Sequence, residues 1–263
     1  CCTPTEYRMM AKLSNLNDYH LEHLHSAVSA GEPLNREVVE QFKNNFNLTV
    51  RDGYGQTEST LLIGFLKDTE PRTGSMGKGI PGSFVTIIDD DGNEVPPQTK
   101  GNIAVPLDLP ALFKGYYKDE ERTKAASAGD YYVTGDLAHK DEDGYFWFEG
   151  RRDDIIISSG YTIGPFEVED ALTNHPAVKE CAVVASPHEI RGNIVKAFII
   201  LQNNYEGNDE LVKELQTFCK NEVAPYKYPR AIEFVDDLPK TNSGKIRRVE
   251  LRDAEIAKYN NQD

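Results

Sequence analysis

The chain has 263 residues, with 29 Lys+Arg against 43 Asp+Glu and a formal net charge of -14. That balance argues against nucleic acid as a partner, because a polyanion needs a basic footprint and basic residues here concentrate only between Lys240 and Arg252. Hydrophobic residues at 39% and charged residues at 27% fit an ordinary globular chain, and no apolar run approaches the ~20 residues that cross a bilayer.

At the start, Cys-Cys-Thr-Pro is neither a Met start nor a charged stretch leading into an apolar one. This is expected of a piece of a longer protein, with any targeting segment lying upstream. The cysteines, Cys1, Cys2, Cys181 and Cys219, have no Cys-x-x-Cys spacing and are too sparse for a disulfide scaffold. They point to a reducing compartment, the cytoplasm.

A helix is predicted from Thr5 to Leu13, with Thr5 as N-cap. Leu24 to Ser29 reads as a strand entering the turn Ala30-Gly31-Glu32-Pro33. Asn35 then precedes Val38, Val39, Phe42 and Phe46, one apolar stripe of a helix of about three turns. A second strand at Leu48 to Arg51 repeats the order, which suggests an α/β layer with ligand-holding loops at strand ends. From Gly74 to Gly150, Gly and Pro punctuate short β-type runs at Phe84 to Asp89, Asn102 to Pro106 and Tyr145 to Glu149, giving a β-rich portion. The loops Asp89-Asp90-Asp91-Gly92-Asn93 and Asp141-Glu142-Asp143-Gly144 lack the bidentate Glu of a calcium loop and read instead as hairpin turns. Beyond Gly150 come a helix from Pro165 to Thr173, strands at Val178 to Ser186 and Val195 to Gln202, and an amphipathic helix from Asp209 burying Leu211, Leu215, Phe218 and Cys219. A strand at Ala231 to Val235 completes an α+β unit with its own core. The predicted boundary lies near Arg151 to Asp154.

Two Gly-Lys segments, Gly74-Ser75-Met76-Gly77-Lys78-Gly79 and Ser243-Gly244-Lys245-Ile246, fail the spacing of a P-loop, which needs Gly, four residues, then Gly-Lys-Ser/Thr. Tyr54-Gly55-Gln56-Thr57-Glu58-Ser59 can be read in two ways. Tyr54 suits stacking on a base, Thr57 a phosphate contact and Glu58 a Mg2+ contact. Equally, the segment can be a strand-to-helix turn with Thr57 as cap and Glu58 in the first turn.

Four further segments follow in order: Tyr132-Val133-Thr134-Gly135-Asp136, Gly150-Arg151-Arg152-Asp153-Asp154-Ile155-Ile156, Gly160-Tyr161-Thr162-Ile163-Gly164-Pro165, and Pro239-Lys240-Thr241-Asn242-Ser243-Gly244-Lys245-Ile246. Together with the Tyr54 segment they resemble the adenylate-forming superfamily. Pro4-Thr5-Glu6-Tyr7-Arg8-Met9, Gly31-Glu32-Pro33-Leu34 and Ala224-Pro225-Tyr226-Lys227-Tyr228-Pro229-Arg230 look most like the AMP-forming medium-chain acyl-CoA synthetases. The resemblance covers essentially the whole chain.

It implies the C-terminal part of a large α/β plus β-barrel adenylating domain over residues 1–150 (an α/β portion 1–73 and a β-rich subdomain 74–150), followed by a small mobile α+β lid domain over 151–263. The implied reaction joins a carboxylic acid to CoA at the expense of ATP, through an acyl-adenylate, releasing AMP and pyrophosphate. Gly31, Glu32, Pro33, Asp52, Gly53, Tyr54, Gly55 and Gln56 match the family's nucleotide-binding stretch, with the adenine slot formed by the Gly31 and Asp52 segments. Thr57 matches the phosphate contact, Glu58 the Mg2+ ligand, Asp136 the ribose carboxylate and Arg151 a second ribose or phosphate contact. Asp153 matches the hinge. Lys245 matches the lysine of the adenylating half-reaction, which gives Lys245, Thr57 and Glu58 as catalytic residues. Gly160, Tyr161, Arg191 and Lys220 match CoA contacts, while Thr162 stands where close relatives commonly have Arg. The family's Ser/Thr/Gly-rich triphosphate loop occurs nowhere in these residues. Taken without the resemblance, Asp136 also reads as a cap after a strand, Arg151 as a surface ion pair, the Arg152 to Asp154 cluster as a solvated turn, and Lys245 as a solvated basic residue.

Overall fold

Helix α1 (Pro4–Ala11) begins one turn-signal earlier than expected. Thr3, not Thr5, is its N-cap: the Thr3 hydroxyl accepts from the Glu6 N–H, and the Glu6 carboxylate reaches back to the Thr3 N–H, with Pro4 fixing the first turn. The computed structural model describes residues 1–13, 15–241 and 244–261, so Asn242 and Ser243 of the last motif lie outside the described residues. The chain forms two units, Cys1–Glu149 and Gly150–Asp263.

In the first unit, strand β1 (Ala27–Ala30) starts three residues later than the apolar pattern implied and pairs in parallel with β2 (Val50–Gln56). Between them lies α2 (Arg36–Phe46), which turns Val38, Val39 and Phe42 into a core shared with Tyr7, Leu48 and Val50. Asn35 occupies its N-cap position without a capping bond from its side chain.

No helix follows β2. The strand runs on through Asp52, Gly53 and Tyr54, then doubles back as an antiparallel hairpin with β3 (Thr60–Gly64). Neither the expected repeat of strand, loop and helix nor a helix cap at Thr57 exists. Thr57, Glu58 and Ser59 form the hairpin loop, closed by Thr60 in the left-handed region at φ 61. Gly55 permits this close approach, since a Cβ there would lie 2.0 Å from the Thr60 carbonyl oxygen.

Strands β4 (Gly77–Gly79), β5 (Thr86–Ile88), β6 (Gly101–Pro106), β7 (Ser127–Ala128), β8 (Tyr131–Lys140) and β9 (Tyr145–Arg151) extend the same sheet, with α3 (Glu120–Ala125) before β7. Nine strands share it, in the order β1-β2-β3-β4-β9-β8-β6-β5 with β7 on β8, so the sheet crosses residue 73 without a break. Both Asp-Gly loops are turns: Asp89 accepts from the Asp91 and Asn93 N–H groups, and Asp141 from those of Asp143 and Tyr145. Strands β2 and β8 stand four steps apart in the sheet, about 19 Å if it were flat. Their side chains nonetheless meet, as described below, so the sheet curls through the β3, β4 and β9 strands between them.

The second unit opens with a short 3-10 turn, Arg152–Asp154, and a hairpin of β10 (Ile156–Ser158) and β11 (Tyr161–Ile163). Helix α4 (Pro165–Thr173) matches the sequence reading. A three-stranded sheet of β12 (Val178–His188), β13 (Gly192–Leu201) and β14 (Ala231–Phe234) packs on α4 and on α5 (Asp209–Glu222). Helix α5 buries Leu211, Leu215 and Cys219, whereas Phe218 is only half-buried, edge-on to His175. The closing helix α6 (Arg248–Asn260) was not foreseen. Its one buried residue is Glu255, so no apolar stripe marks it.

Candidate nucleotide-binding site

Alternation along β8 places Tyr132, Thr134 and Asp136 on one buried face. Asp136, read alternatively as a cap after a strand, is instead in mid-strand and 5% exposed. A carboxylate this deep needs donors, and β2 supplies them. The Tyr54 hydroxyl donates to Asp136 Oδ2 at 2.6 Å, and Gln56 Nε2 donates to the same oxygen at 2.7 Å. Gln56 Nε2 also donates to the Thr134 carbonyl at 2.9 Å, and the Tyr132 hydroxyl donates to Gln56 Oε1 at 3.0 Å. The structure thus joins Tyr54, Gln56 and Asp136 from among the residues singled out in the sequence. Oδ2 thus accepts two hydrogen bonds from β2.

At the hairpin loop Thr57 is exposed and Glu58 is half-buried. The Tyr116 hydroxyl donates to Glu58 Oε1 at 3.0 Å. Phe113 stacks edge-on against both Tyr116 and Tyr132, and the Arg122 guanidinium lies 4.0 Å over the Tyr116 ring. Burial pushes the Tyr132 phenol well above its ordinary range, with the nearby Tyr116 and Glu58 adding to it. Burial and the bond to Glu58 likewise raise Tyr116. Sequence reasoning gave neither phenol a role. The alternation of Tyr132 with Thr134 and Asp136 was the available signal.

Around Gly31 the arrangement differs. Glu32 is turned to α1, where it pairs with Arg8 at 3.2 Å and accepts from the Thr5 hydroxyl. Asp52 anchors the neighbouring loop: its carboxylate accepts from the Gly53 N–H at 2.9 Å and the Leu34 N–H at 3.4 Å. Protein surrounds it beside a small pocket lined by Leu34, Val39, Phe65, Arg72 and Ser75. That burial pushes the Asp52 carboxyl up to about 7, against the opposing pull of the two amides.

In the second unit, Asp153 is exposed in the 3-10 turn, and the Arg252 side chain of α6 donates to its carbonyl at 2.7 Å and to Asp154 Oδ1 at 2.8 Å. Arg151 is the residue preceding that turn. The cluster is therefore a clamped turn, not merely a solvated one. Gly160 and Ser159, at φ 83 and 50, form the two-residue turn of the β10–β11 hairpin. Arg191 donates to the Ser159 hydroxyl at 3.0 Å and accepts at its carbonyl from the Ser159 N–H. Tyr161 stacks on Tyr226, centroids 4.4 Å apart, while Thr162 is exposed on β11. Lys220 lies 4.0 Å over the ring of Tyr228, so it and Tyr161 converge on the segment from Tyr226 to Tyr228. Lys245 is exposed, its backbone looped onto Thr241.

Residues 1–117 match the profile of the AMP-binding enzyme family, and residues 167–245 match that of the AMP-binding enzyme C-terminal domain. The acyl-CoA ligase YtcI of Bacillus subtilis, itself uncharacterized, is 67% identical over 255 residues, covering 97% of this chain and 48% of that protein. The mitochondrial acyl-coenzyme A synthetase ACSM3 of Rattus norvegicus is 49% identical over 257 residues, covering 96% of this chain and 44% of that one. The chain thus spans about half the length of the curated relatives it matches. Among solved structures, the anthranilate CoA ligase AuaEII in complex with anthranoyl-AMP superposes with a TM-score of 0.88 at 35% identity, covering 96% of this chain and 49% of that one. No helix among the described residues is long and apolar enough to cross a membrane.

Proposed function

Given that the chain belongs to the AMP-binding enzyme family, we propose that it is part of an AMP-forming acyl-CoA synthetase, an acid-thiol ligase. The reaction converts a carboxylic acid and ATP into acyl-AMP and pyrophosphate, and then transfers the acyl group to the CoA thiol with release of AMP. The observation that carries this reading is the convergence of Tyr54 and Gln56 on the buried carboxylate of Asp136. Such an acceptor suits the paired hydroxyls of a ribose.

Residues 1–150 serve as part of the adenylating domain and 151–263 as its mobile lid, with Asp153 as hinge. Asp153 lies in the short 3-10 turn Arg152–Asp154, and hinges are a few such positions that absorb backbone rotation. Gly31, Glu32, Pro33 and the Asp52 to Gln56 stretch border the nucleotide, with Thr57 at the phosphates and Arg151 as a further ribose or phosphate contact. Glu58 fits Mg2+ in the manner of nucleotide sites, where one or two carboxylates hold an ion whose other ligands are phosphate and water. The ion supplies charge neutralisation at the phosphates when bound. Lys245 is exposed on its loop and offers a point charge for the developing negative charge between carboxylate and α-phosphate. Gly160, Tyr161, Arg191 and Lys220 receive CoA. The four free thiols suit a reducing compartment such as the cytoplasm.

The test is product analysis on the protein at the length of its relatives. With a carboxylic acid, ATP and CoA it should yield acyl-CoA and AMP in equal amounts. Formation of ADP, or AMP release that ignores the acid, would contradict the reading.

A further inference from the structure

Gln56 can sit only one way round. Its Nε2 faces the Asp136 carboxylate and the Thr134 carbonyl, both acceptors, so both amide hydrogens are spent there and Oε1 faces Tyr132. A phenol has one hydrogen. Tyr132 gives its own to Gln56 Oε1 at 3.0 Å, and Tyr116 gives its own to Glu58.

We infer that Tyr132 and Gln56 are positioning residues for the Asp136 carboxylate. The inference rests on the nucleotide-binding reading above. Its consequence is a difference between two neighbouring phenols: Tyr132 acts on Asp136 through the Gln56 amide, whereas the Tyr116 hydrogen goes to Glu58.

The experiment measures, by calorimetry in magnesium-free buffer, the affinities of AMP and 2′,3′-dideoxy-AMP for the protein at the length of its relatives. Their ratio reports how well Asp136 is aimed at ribose hydroxyls, whereas general damage lowers both affinities together. The native protein should prefer AMP by about tenfold or more, the worth of hydrogen bonds to a charged acceptor. Tyr132→Phe keeps the ring against Phe113 and removes one oxygen. It should shrink the ratio by roughly fivefold, and Gln56→Met should do at least as much. Tyr116→Phe should leave the ratio intact, because the Tyr116 hydrogen goes to Glu58 and not to the Gln56 amide. Equal shrinkage in Tyr116→Phe and Tyr132→Phe, or parallel loss of both ligands at constant ratio, would assign these phenols to packing and overturn the inference. An unchanged ratio in Tyr132→Phe would overturn it too, while leaving the nucleotide reading intact. A native protein that binds neither ligand, or binds both equally, would instead sink the nucleotide reading itself.

Discussion

Two sets of carboxylates, one in each unit, are held by different kinds of donor. In the first, Asp136 is gripped by a phenol and a primary amide, Asp52 by two backbone amides, and Glu58 by a phenol. In the second, Glu169 takes a two-pronged bond from Arg248, and Glu255 sits between Lys196 and Lys258 with a bond from Ser186. Neutral donors orient a carboxylate through directed hydrogen bonds. Cationic donors neutralise it, which suits one that ties helix α4 or α6 to the sheet. Burial pushes the Asp52 carboxyl up to about 7. It pushes Glu255 the same way, but the bonds from Lys196, Lys258 and Ser186 outweigh it and leave that group below its ordinary value.

The hardest blow to this contrast falls on Glu169, 5% exposed. Arg248→Ala strips its cation and should destabilise the second unit by about 3 to 5 kcal/mol, as expected when one partner of a buried pair is lost. Urea unfolding measures it, and a loss under 1 kcal/mol would mean that the pair is no structural tie. Next is the one lysine to which a chemical step is assigned. Lys245→Ala should slow acyl-AMP formation by about 100-fold or more, the scale of one preorganised donor. Thioester formation from supplied acyl-AMP and CoA should stay within about tenfold of native. Equal loss in both half-reactions would make Lys245 structural.

Asp136→Ala should weaken AMP and ATP together by about 1.5 to 3 kcal/mol, read by calorimetry. Unchanged AMP affinity would return Asp136 to a packing role. The smallest effect is a pair of pH slopes of opposite sign at Asp52 and Glu255. The folded state keeps a proton on Asp52 up to about pH 7, whereas an ordinary Asp gives it up near 3.8. Stability from this site is therefore full at low pH and falls as pH rises through that window. Asp52→Asn should stabilise the first unit by about 1 to 2 kcal/mol at pH 8 and by less at pH 5. Glu255, being lowered, contributes stability above its ordinary value of 4.5 that is lost as pH falls through its folded value. Thermal melts across pH 4 to 8 would expose both slopes.

Much of this was legible in the sequence where apolar periodicity is strong. Pro165 to Thr173, the Asp209 helix and strands β12 and β13 bury clear apolar sets. Legibility failed where the pattern is polar. Val50 to Gln56 reads VRDGYGQ, with two glycines and an Asp, and it is held as a strand by partners on both sides, β1 and β3, not by propensity. Helix α6 buries a single Glu, so nothing periodic announced it. The N-cap at Thr3 was readable as Thr-Pro-x-Glu and was passed over for Thr5. The motifs named Tyr54, Gln56 and Asp136 by resemblance, yet the bonds among them span about 80 positions and depend on the curl of a sheet whose order no local signal encodes.

The bond from Arg252 to the carbonyl of Asp153 crosses 99 positions and engages an atom that every residue type possesses. Side-chain replacement at Asp153 therefore leaves that particular bond available, whereas shortening the chain before Arg252 removes it whatever residue stands at 153. The last helix thus carries information about the first turn of its unit. A truncation usually judged harmless because it trims a polar, solvent-facing end would here act at the opposite terminus of the unit, where Arg152 to Asp154 would have to find other donors for the Asp153 carbonyl and the Asp154 carboxylate.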